Sequence, residues 1–263
     1  MNRVAVVIGA ARGIGAATTR LLAEAGWSVM AVDRGSDDPR LPYALGSARM
    51  LGELAAEAGS AAHPVVARIA DTCDEPGLAA AVGEAEARFG GVDAVITAAG
   101  VIAGGVPLWE MPAVEVDAVL DVDLRGVVVA ARVGIPALLR RPEPRAGRFL
   151  AVSSTAASRG LPMLAAYGAA KAGVTGLVRG LAAELRGTGI TANSVSPGST
   201  ATPILDESAR LYGLDGAEVF ARQHTIERLI RPEEVAGALV WLAGPAGAAV
   251  TGVDLPVDGG LAL

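Results

Sequence analysis

Short runs of Val, Ile and Ala alternate with longer amphipathic segments along the whole chain. The short runs are apolar throughout rather than at every second position, which is typical of strands covered on both faces of a sheet. We predict strands at 4–8, 28–32, 64–69, 94–97, 148–153, 191–195 and 253–257, and helices near 14–25, 47–58, 76–88, 113–139, 163–186 and 232–243. This alternation predicts an α/β fold, a doubly wound parallel sheet of about seven strands with helices on both faces.

Two segments interrupt the alternation. The first, 36–46, is rich in Pro and Asp and follows the second strand, and the second, 198–225, follows the sixth strand. Loops between strands and helices usually take about two to six residues, and ligands bind beyond the carboxyl ends of parallel strands. Because no linker or repeat divides the chain, we expect residues 1–263 to form one domain, with 36–46 as an inserted loop near a cofactor and 198–225 as a substrate lid.

Composition and charge exclude several classes of partner. The net charge is −6 and the basic residues are scattered, which argues against a nucleic-acid partner. The single cysteine, Cys73, fits a reducing cytoplasm, and the N-terminus lacks a signal-peptide pattern. The longest apolar stretch, 126–139, is interrupted by Arg132 and is too short to cross a bilayer. His63 and His224 lack metal-ligand spacing, so we expect a cytoplasmic protein with no membrane segment and no catalytic metal.

Three polar residues form a candidate proton-transfer group. Tyr167 and Lys171 lie four residues apart in a predicted helix and so project from one face. A lysine ammonium at that position would lower the pKa of the phenol from its usual value of about 10, and such a phenol can exchange a proton with an alcohol or a carbonyl. Ser154, thirteen residues upstream of Tyr167, could hold the reacting oxygen. The tyrosine–lysine spacing occurs by chance in many helices, so other evidence must support it.

A glycine-rich loop follows the first predicted strand and opens the first helix. Gly9, Gly13 and Gly15 form the pattern G-x-x-x-G-x-G, with Arg12 and Ile14 between them. Glycines allow a tight turn and a close approach of the backbone to a pyrophosphate, whose charge meets the helix N-terminus. The position of the loop predicts a dinucleotide site.

The end of the second strand bears on the choice of dinucleotide. Asp33 lies about twenty residues after the glycine loop, where a carboxylate binds both ribose hydroxyls and repels a 2′-phosphate. Arg34 and Arg12 argue the other way, since each could bind a phosphate. We expect the repulsive carboxylate to prevail and predict NAD as the cofactor, with NADP less favoured.

Together these residues resemble the short-chain dehydrogenase/reductase family, and the resemblance covers essentially the whole chain. It implies a single-domain Rossmann-type fold and a nicotinamide cofactor, with Lys171 and Tyr167 beside the nicotinamide ribose. The tail Val257–Gly260 also matches the family pattern. Further cofactor positions implied by the resemblance are Asp71 and Thr72 near the adenine, Ala98, Ala99 and Gly100 after the fourth strand, and Pro197, Gly198 and Thr202 beside the nicotinamide.

One position departs from the family pattern. The family has a catalytic asparagine within a run such as D-V-N-L-x-G, and this chain has Asp123 in D-V-D-L-R-G. The resemblance implies that this side chain supports a proton relay behind Lys171. A carboxylate can still accept a hydrogen bond there while altering the tuning of Lys171 and Tyr167; alternatively, Asp123 marks reduced activity. We expect activity to survive.

A narrower resemblance concerns the insert and two other runs. The segments D-D-P-R-L-P-Y, A-L-L-R-R-P-E-P-R-A-G-R-F and N-S-V-S-P-G-S-T-A-T-P are similar to those of the mycofactocin-coupled subgroup. That resemblance implies a mycofactocin-type electron acceptor and a tightly bound NAD that is re-oxidised in place. We hypothesise that residues 36–46 fold over the NAD and slow its exchange.

The substrate is less constrained than the cofactor. The candidate pocket residues are mostly apolar, which favours a hydrophobic secondary alcohol over a charged sugar. Trp109 and Met163 could equally be core or interface residues. The full set is Val101, Ile102, Trp109, Leu161, Met163, Ser199, Leu211 and Tyr212.

Three functions remain open. The first is an NAD-dependent oxidoreductase that interconverts a hydrophobic secondary alcohol and its ketone, with Tyr167 as acid and base. The second is a 3-oxoacyl-carrier-protein reductase, which would prefer NADPH and a basic docking site; Asp33 and the acidic charge count against it. The third is a catalytically quiet nucleotide-binding sensor or structural protein, which an intact Ser154, Tyr167 and Lys171 disfavours.

The predicted helices at 113–139 and 163–186 carry faces of small residues that could pack across two-fold axes. The residues concerned are Val129, Ala130 and Val133 on the first helix, and Ala169, Ala172 and Gly176 on the second. Together with the family resemblance, these faces predict a homotetramer.

Overall fold

A computed structural model describes residues 3–263, so the first two residues of the expected 1–263 domain lie outside the described part. Seven parallel strands form one sheet in the order β3-β2-β1-β4-β5-β6-β7, which confirms the predicted doubly wound α/β fold. The strands are β1 (Arg3–Ile8), β2 (Trp27–Asp33), β3 (Val65–Ile69), β4 (Ala94–Thr97), β5 (Arg148–Val152), β6 (Thr191–Pro197) and β7 (Asp254–Val257).

Helices that pack on the sheet cover both of its faces, and residues 3–263 contain eight α-helices in all. They are α1 (Gly13–Glu24), α2 (Ala48–Ala58), α3 (Glu75–Phe89), α4 (Ala113–Leu120), α5 (Gly126–Leu139), α6 (Ala165–Glu184), α7 (Pro203–Leu211) and α8 (Pro232–Ala243). Alternate side chains of β1 enter opposite cores, because strand residues point to opposite faces. Val4 and Val6 pack with residues of α3, α5 and α6, whereas Ala5 and Val7 pack with residues of α1, α2 and α8. Burial on both faces explains why the strands lack polar alternation.

The predicted helix over 113–139 is divided. A π-helical turn, Asp121–Arg125, joins α4 to α5 and carries Asp123. The hydrophobic pattern runs across this turn without a break, so the division of the helix could not be predicted from it. Gly126 follows the turn at a close approach, since a Cβ there would lie 2.6 Å from Thr72 Cγ2. π-helical turns are rare and frequently occur at functional sites.

The two irregular segments differ in structure. Residues 36–46 have no regular secondary structure. Residues 198–225 contain α7 and a 3₁₀ segment, Ala217–Gln223, which share a small apolar cluster that includes Leu205 and Phe220. The second segment is therefore a small packed unit rather than an extended loop.

The faces expected to pack between subunits are only partly available. Val129 and Ala130 are buried in the core of their own chain, so the expectation for α5 is wrong at these positions. Ala169, Ala172 and Gly176 are exposed on α6. No helix within residues 3–263 has the length and apolarity needed to cross a membrane.

Candidate active site

A cavity of about 690 Å³ opens at the carboxyl ends of the central strands. Its lining begins at the glycine loop after β1 and the end of β2, passes the ends of β4 and β5, and continues to the segment after β6. Ligands bind at this edge in open parallel α/β sheets. The lining therefore extends far enough along this edge of the sheet for a cofactor and a substrate to bind side by side.

Three polar side chains meet in the middle of this cavity. Ser154 follows β5 and its Oγ accepts a hydrogen bond from Ala156 N (3.1 Å), which fixes the serine at the start of a 3₁₀ turn. Tyr167 lies in the first turn of α6, where the Ser154 side chain acts to lower the pKa of its phenol. Lys171 lies one turn later, with its Nζ 5.6 Å from the centre of the Tyr167 ring. The predicted trio is brought together.

Lys171 is held in the interior by fixed partners. Only 3% of the residue is exposed, and its Nζ donates a hydrogen bond to Val152 O (3.2 Å). The same Nζ lies 3.2 Å from Asp123 Oδ1. Burial by itself would lower the pKa of Lys171, but the charge of Asp123 and the neighbouring Tyr167 outweigh it and raise the pKa. The lysine is therefore kept as an ammonium.

Asp123 reaches this lysine directly. It has no exposed surface, and its Oδ1 accepts a hydrogen bond from Val101 N (3.1 Å) as well as contacting Lys171. Burial raises the pKa of Asp123, and Lys171 opposes that rise. Within residues 3–263, Asp123 Oδ2 has no hydrogen-bond partner. The carboxylate thus forms a direct ion pair with the lysine through one oxygen only.

The environment of Tyr167 differs from the sequence-based expectation. Burial raises the pKa of Tyr167, while the Lys171 ammonium and the hydrogen bond from Ser154 lower it and the Asp123 charge adds to the rise. The sequence-based expectation took only Lys171 into account, and Lys171 does lower the pKa of Tyr167 as expected. The net direction is upward because desolvation and Asp123 act together.

The glycine loop has the geometry of a cradle for a pyrophosphate. Gly9 and Gly13 have φ angles of +82° and +54°, which disfavour other residues. A Cβ on Gly9 would lie 2.3 Å from Ala99 N, and one on Gly15 would lie 1.9 Å from Gly9 O. The N-terminus of α1 begins at Gly13 and lines the cavity. These residues fit the anionic part of a dinucleotide.

The end of β2 presents a carboxylate and a neutralised arginine to the cavity. Asp33 Oδ2 accepts a hydrogen bond from Ala11 N (2.9 Å), and its Oδ1 accepts one from Gly35 N (3.1 Å). Arg34 is paired with Asp38 (2.7 Å) and lies 3.4 Å from Asp71. The arginine is therefore engaged by two carboxylates, whereas Asp33 is fixed by backbone donors and has no cationic partner among the described residues.

The insert is anchored to both sides of the cavity. The Tyr43 hydroxyl oxygen accepts a hydrogen bond from Ile102 N (2.8 Å), just after the end of β4. Arg12 Nη1 donates to Ala44 O (2.8 Å), which ties the insert to the glycine loop. Leu45 lines the cavity from the insert. Burial raises the pKa of Tyr43, so its phenol stays protonated.

A network of charges closes the base of the insert. Asp38 is 1% exposed, and its carboxylate accepts hydrogen bonds from Arg34 and Arg40. Arg40 also donates to Asp121 Oδ2 (2.8 Å), in the π turn that carries Asp123. The hydrogen bonds from Arg40 hold the pKa of Asp38 well below its usual range. The sequence analysis did not identify Tyr43, Asp38 and Arg40 as functional residues. The available signal was an acidic and a basic residue two positions apart in a proline-rich insert.

Most of the predicted site residues line the cavity. Gly15 and Asp123 do not, because Gly15 packs beneath Gly9 and Asp123 is fully buried against Lys171. Among the candidate substrate residues, Trp109 is 85% exposed, Met163 lies outside the lining, and Leu211 lines a separate cavity of about 220 Å³. The substrate residues that do line the main cavity are Val101, Ile102, Leu161, Ser199 and Tyr212.

Other residues of the lining were not predicted. Leu164, Leu214, Phe220 and Leu261 add apolar surface, and Arg159 adds a cation. They come from loops and from the C-terminal tail, whose contacts depend on tertiary folding. Within residues 3–263, no group of three or more His, Cys, Asp or Glu side chains could hold a metal ion.

Comparisons with known proteins agree with this geometry. A family model described as Enoyl-(Acyl carrier protein) reductase matches residues 9–262. This chain belongs to the short-chain dehydrogenase/reductase family. It is an NAD(P)-dependent oxidoreductase of the alcohol dehydrogenase and ketoreductase type.

Particular relatives cover almost the whole chain. A cis-4-hydroxycyclohexanecarboxylate dehydrogenase from Sinomonas cyclohexanicum is 39% identical and aligns over 98% of this chain and 96% of its own. A carveol dehydrogenase from Mycobacterium avium in complex with NAD superposes with a TM-score of 0.92, at 29% identity, over 98% of this chain and 97% of its own. A 3-ketoacyl-(acyl-carrier-protein) reductase from Brucella melitensis complexed with NADH gives a TM-score of 0.86, at 29% identity, over 99% and 98% of the two chains.

Proposed function

We propose that this protein uses NAD to interconvert a hydrophobic secondary alcohol and its ketone. The observation that carries the proposal is the convergence of Ser154, Tyr167 and the buried Lys171 on one cavity whose other end is the glycine loop. Apolar side chains such as Leu161 and Tyr212 line the substrate end of that cavity. The names of the Sinomonas and Mycobacterium relatives, both dehydrogenases of hydroxylated compounds, support this class of substrate.

The residues of the site divide the proton transfer among them. Bound NAD would supply the acceptor for the hydride that leaves the carbinol carbon. Ser154 donates a hydrogen bond to the reacting oxygen, and Tyr167 takes the hydroxyl proton during oxidation and returns it during reduction. Lys171 favours the tyrosinate that oxidation requires, because its ammonium lies one turn away. Asp123 holds Lys171 in place as its counter-charge.

The remaining cofactor contacts follow the order of the cavity lining. Gly9, Arg12, Gly13 and Ile14, which line the cavity, would surround the pyrophosphate, and Asp71 and Thr72 would contact the adenine. Ala98, Ala99, Gly100, Pro197, Gly198 and Thr202 would contact the nicotinamide half of the cofactor.

The preference for NAD is supported by the end of β2. Asp33 can accept hydrogen bonds from both adenosine ribose hydroxyls, and its charge opposes a 2′-phosphate. Arg34 would have to leave Asp38 and Asp71 before it could bind such a phosphate. Comparing kcat/KM with NAD and NADP in the presence of one alcohol tests this preference, and a higher value with NADP would contradict it.

The substitution Tyr167→Phe tests the proposed reaction. It removes the acid–base hydroxyl while keeping the ring, so kcat for alcohol oxidation should fall by about 10²–10⁴-fold. NAD affinity, followed by fluorescence titration of NADH, should change little because the glycine loop is untouched. An unchanged kcat in this variant would exclude Tyr167 as the proton acceptor.

The insert supports tight retention of the cofactor and, with it, a mycofactocin-type electron acceptor. Residues 36–46 touch the glycine loop through Ala44 and the end of β4 through Tyr43, so opening the adenosine side requires both contacts to break. Mass spectrometry of small molecules released when the purified protein is denatured should detect NAD or NADH. Rapid loss of NAD on gel filtration would contradict the idea of tight retention.

A 3-ketoacyl-carrier-protein reductase is the second candidate, because the Brucella relative carries that name and also covers the whole chain. Assays with a short acetoacetyl thioester separate the two activities. Higher kcat/KM for the thioester with NADPH than for any secondary alcohol with NAD would favour the reductase. A quiet nucleotide-binding role would be favoured if Tyr167→Phe and the unmodified protein behaved alike with every substrate.

A further inference from the structure

Charged side chains are distributed unevenly along the cavity. Asp33, Arg34 and Asp71 lie at the cofactor end with Arg12, and Lys171 in the middle is balanced by Asp123. At the substrate end, the charged residue that lines the cavity is Arg159. Within the described residues, no carboxylate lines that end, so it carries an uncompensated positive charge.

Arg159 is unlike most arginines of this chain. Fourteen of the 21 form salt bridges in residues 3–263, and they include Arg34, which also lines the cavity. Arg159 forms none there, and its guanidinium Nη1 donates a hydrogen bond to Leu261 O. A guanidinium has five N–H donors, so most of its donors are available to a ligand.

The position of Arg159 is set by two ordered segments. Its backbone N donates to Thr155 O (2.9 Å), which continues the turn that begins at Ser154. On the other side, Asp258 fixes the C-terminal tail by accepting hydrogen bonds from Gly260 N and Ala262 N, each 3.0 Å long. The tail in turn presents the Leu261 carbonyl to the guanidinium. Arg159 is an exposed residue whose backbone is fixed by Thr155 and whose guanidinium is oriented by the Leu261 carbonyl.

Arg159 and the reacting groups Ser154 and Tyr167 line the same cavity. Arg159 follows Ser154 by five residues, so their Cα atoms are at most about 17 Å apart even in a fully extended chain, and the 3₁₀ turn between them shortens that distance. The apolar residues Leu161, Leu164 and Phe220 form part of the wall of this cavity. A planar guanidinium at the end of such a wall matches a carboxylate, which it can bind with two parallel hydrogen bonds.

We infer that the substrate is an anionic secondary alcohol, a compact apolar skeleton that carries the hydroxyl at one end and a carboxylate at the other, and that Arg159 binds the carboxylate. The inference rests on the proposed function for the hydroxyl end. It narrows the proposed hydrophobic alcohol to one that also carries a carboxylate at the other end. In this arrangement Arg159 determines specificity and takes no part in proton transfer.

Binding of an unreactive pair of probes tests the inference independently of turnover. Cyclohexanecarboxylate and cyclohexanecarboxamide have nearly the same shape and differ in charge. In calorimetric titrations of the NAD-saturated protein, the carboxylate should bind about tenfold or more tightly than the amide, because hydrogen bonds to charged groups are the stronger ones. Raising the salt concentration should weaken binding of the carboxylate alone.

Two variants locate the effect. Arg159→Gln should remove the preference for the carboxylate, while Arg222→Gln should keep it, since Arg222 is an exposed arginine of the 217–223 segment that lies outside the cavity lining. Equal binding of the two probes, no detectable binding of the carboxylate, or a preference that survives Arg159→Gln would each overturn the inference.

Kinetics separate this inference from the proposed function. With 4-hydroxycyclohexanecarboxylate and its methyl ester as alcohols, Arg159→Gln should raise KM for the acid about tenfold or more and leave kcat/KM for the ester within about twofold. Tyr167-dependent oxidation of the ester with no advantage for the acid would overturn the role of Arg159 and retain the proposed reaction. Arg159-dependent binding of cyclohexanecarboxylate without oxidation of any alcohol would retain the anion site and exclude the proposed reaction.

Discussion

The Asp123–Lys171 pair places a full negative charge behind the residue that tunes the tyrosine. The family pattern has a neutral asparagine at this position, whereas here the carboxylate contacts Lys171 Nζ at 3.2 Å with no exposed surface on Asp123. Its charge keeps the lysine protonated and at the same time opposes ionisation of Tyr167. Asp123 therefore stabilises the ammonium form of Lys171 and destabilises the ionised form of Tyr167.

Asp123→Asn should move the pH dependence of alcohol oxidation to lower pH. Oxidation needs the ionised form of Tyr167, and Asp123 raises the pKa of that phenol, so removing the negative charge lowers the pKa and shifts the rising limb of kcat/KM towards acid. The pKa of Lys171 loses the contribution of Asp123 and falls as well, so the limb at high pH should move in the same direction. A profile that stays in place, or moves to higher pH, would contradict this account of the charge.

Asp123→Ala should destabilise the fold more than Asp123→Asn. Alanine leaves the Lys171 ammonium buried with the Val152 carbonyl as its remaining polar partner on the protein side, and such an uncompensated buried charge costs about 3–5 kcal/mol in the free energy of unfolding. Asparagine keeps an oxygen that can accept from Lys171 and from Val101 N. Urea unfolding of the two variants measures the difference, and equal midpoints would show that the lysine finds another partner.

At the level of single residues, spacing in the sequence identified the groups that share one helix or one loop. Tyr167 and Lys171 are one turn apart on α6, and Gly9 and Gly13 bracket the start of α1, so local periodicity was sufficient to find them. Arg159 acquires its place through the Leu261 carbonyl, about a hundred residues away along the chain. Contacts of that kind depend on the folded chain and leave no periodic signal.

At the level of elements, the insert and the π turn form one connected unit. Asp38 accepts from Arg40, and Arg40 donates to Asp121 at the start of the turn that carries Asp123. Leu41 packs in the same cluster as Tyr167 and Val101. The inserted loop is thus joined to the catalytic region by an ion-pair network and by apolar packing, and its conformation is coupled to the position of Asp123.

The structure explains why some elements were predicted and others were not. The strands predicted at 4–8 and 94–97 are short and mainly apolar runs, and their limits agree with β1 and β4 within one residue. The break at Asp121–Arg125 was missed because Val122 and Leu124 continue the apolar pattern of a single helix. α7 lies within the predicted lid 198–225 and had no predicted bounds of its own, because its nine residues pack mainly against the neighbouring 3₁₀ segment and not against the sheet.

Tyr43→Phe should accelerate the release of NAD. The variant deletes the hydroxyl oxygen that accepts from Ile102 N and leaves that backbone donor without its partner, which costs about 1–3 kcal/mol and loosens the insert over the cofactor end. The dissociation rate of NADH, followed by stopped-flow fluorescence, should rise by about fivefold or more.

Tyr212→Phe is the matched control for this change. It removes a hydroxyl that donates to Pro162 O at the substrate end, so the NADH dissociation rate should stay as in the unmodified protein. An equal rate in all three proteins would show that the insert does not control cofactor exchange, and an equal increase in both variants would show that the effect is not specific to the insert.

At the level of the whole molecule, α6 links the active site to the surface. Tyr167 and Lys171 project towards the cavity, whereas Ala169, Ala172 and Gly176 are exposed on the outer side of the same helix. Small side chains at spacings of three to four residues let another helix approach closely. Packing of a second subunit here would hold α6, and with it the catalytic pair, in a fixed position.

Gly176→Arg should break a homotetramer into smaller species without unfolding the chain. No atom lies within 4 Å of a Cβ added at Gly176, so the protomer has room for the side chain, and arginine favours a helix more than glycine does. Light scattering of the unmodified protein should give about four times the chain mass of 26.3 kDa, and the variant should give a lower multiple with unchanged circular dichroism. Gly83→Arg, at an equally open position on α3, should remain tetrameric. A monomeric unmodified protein would refute the tetramer, and a tetrameric Gly176→Arg would place the subunit contacts away from this face of α6.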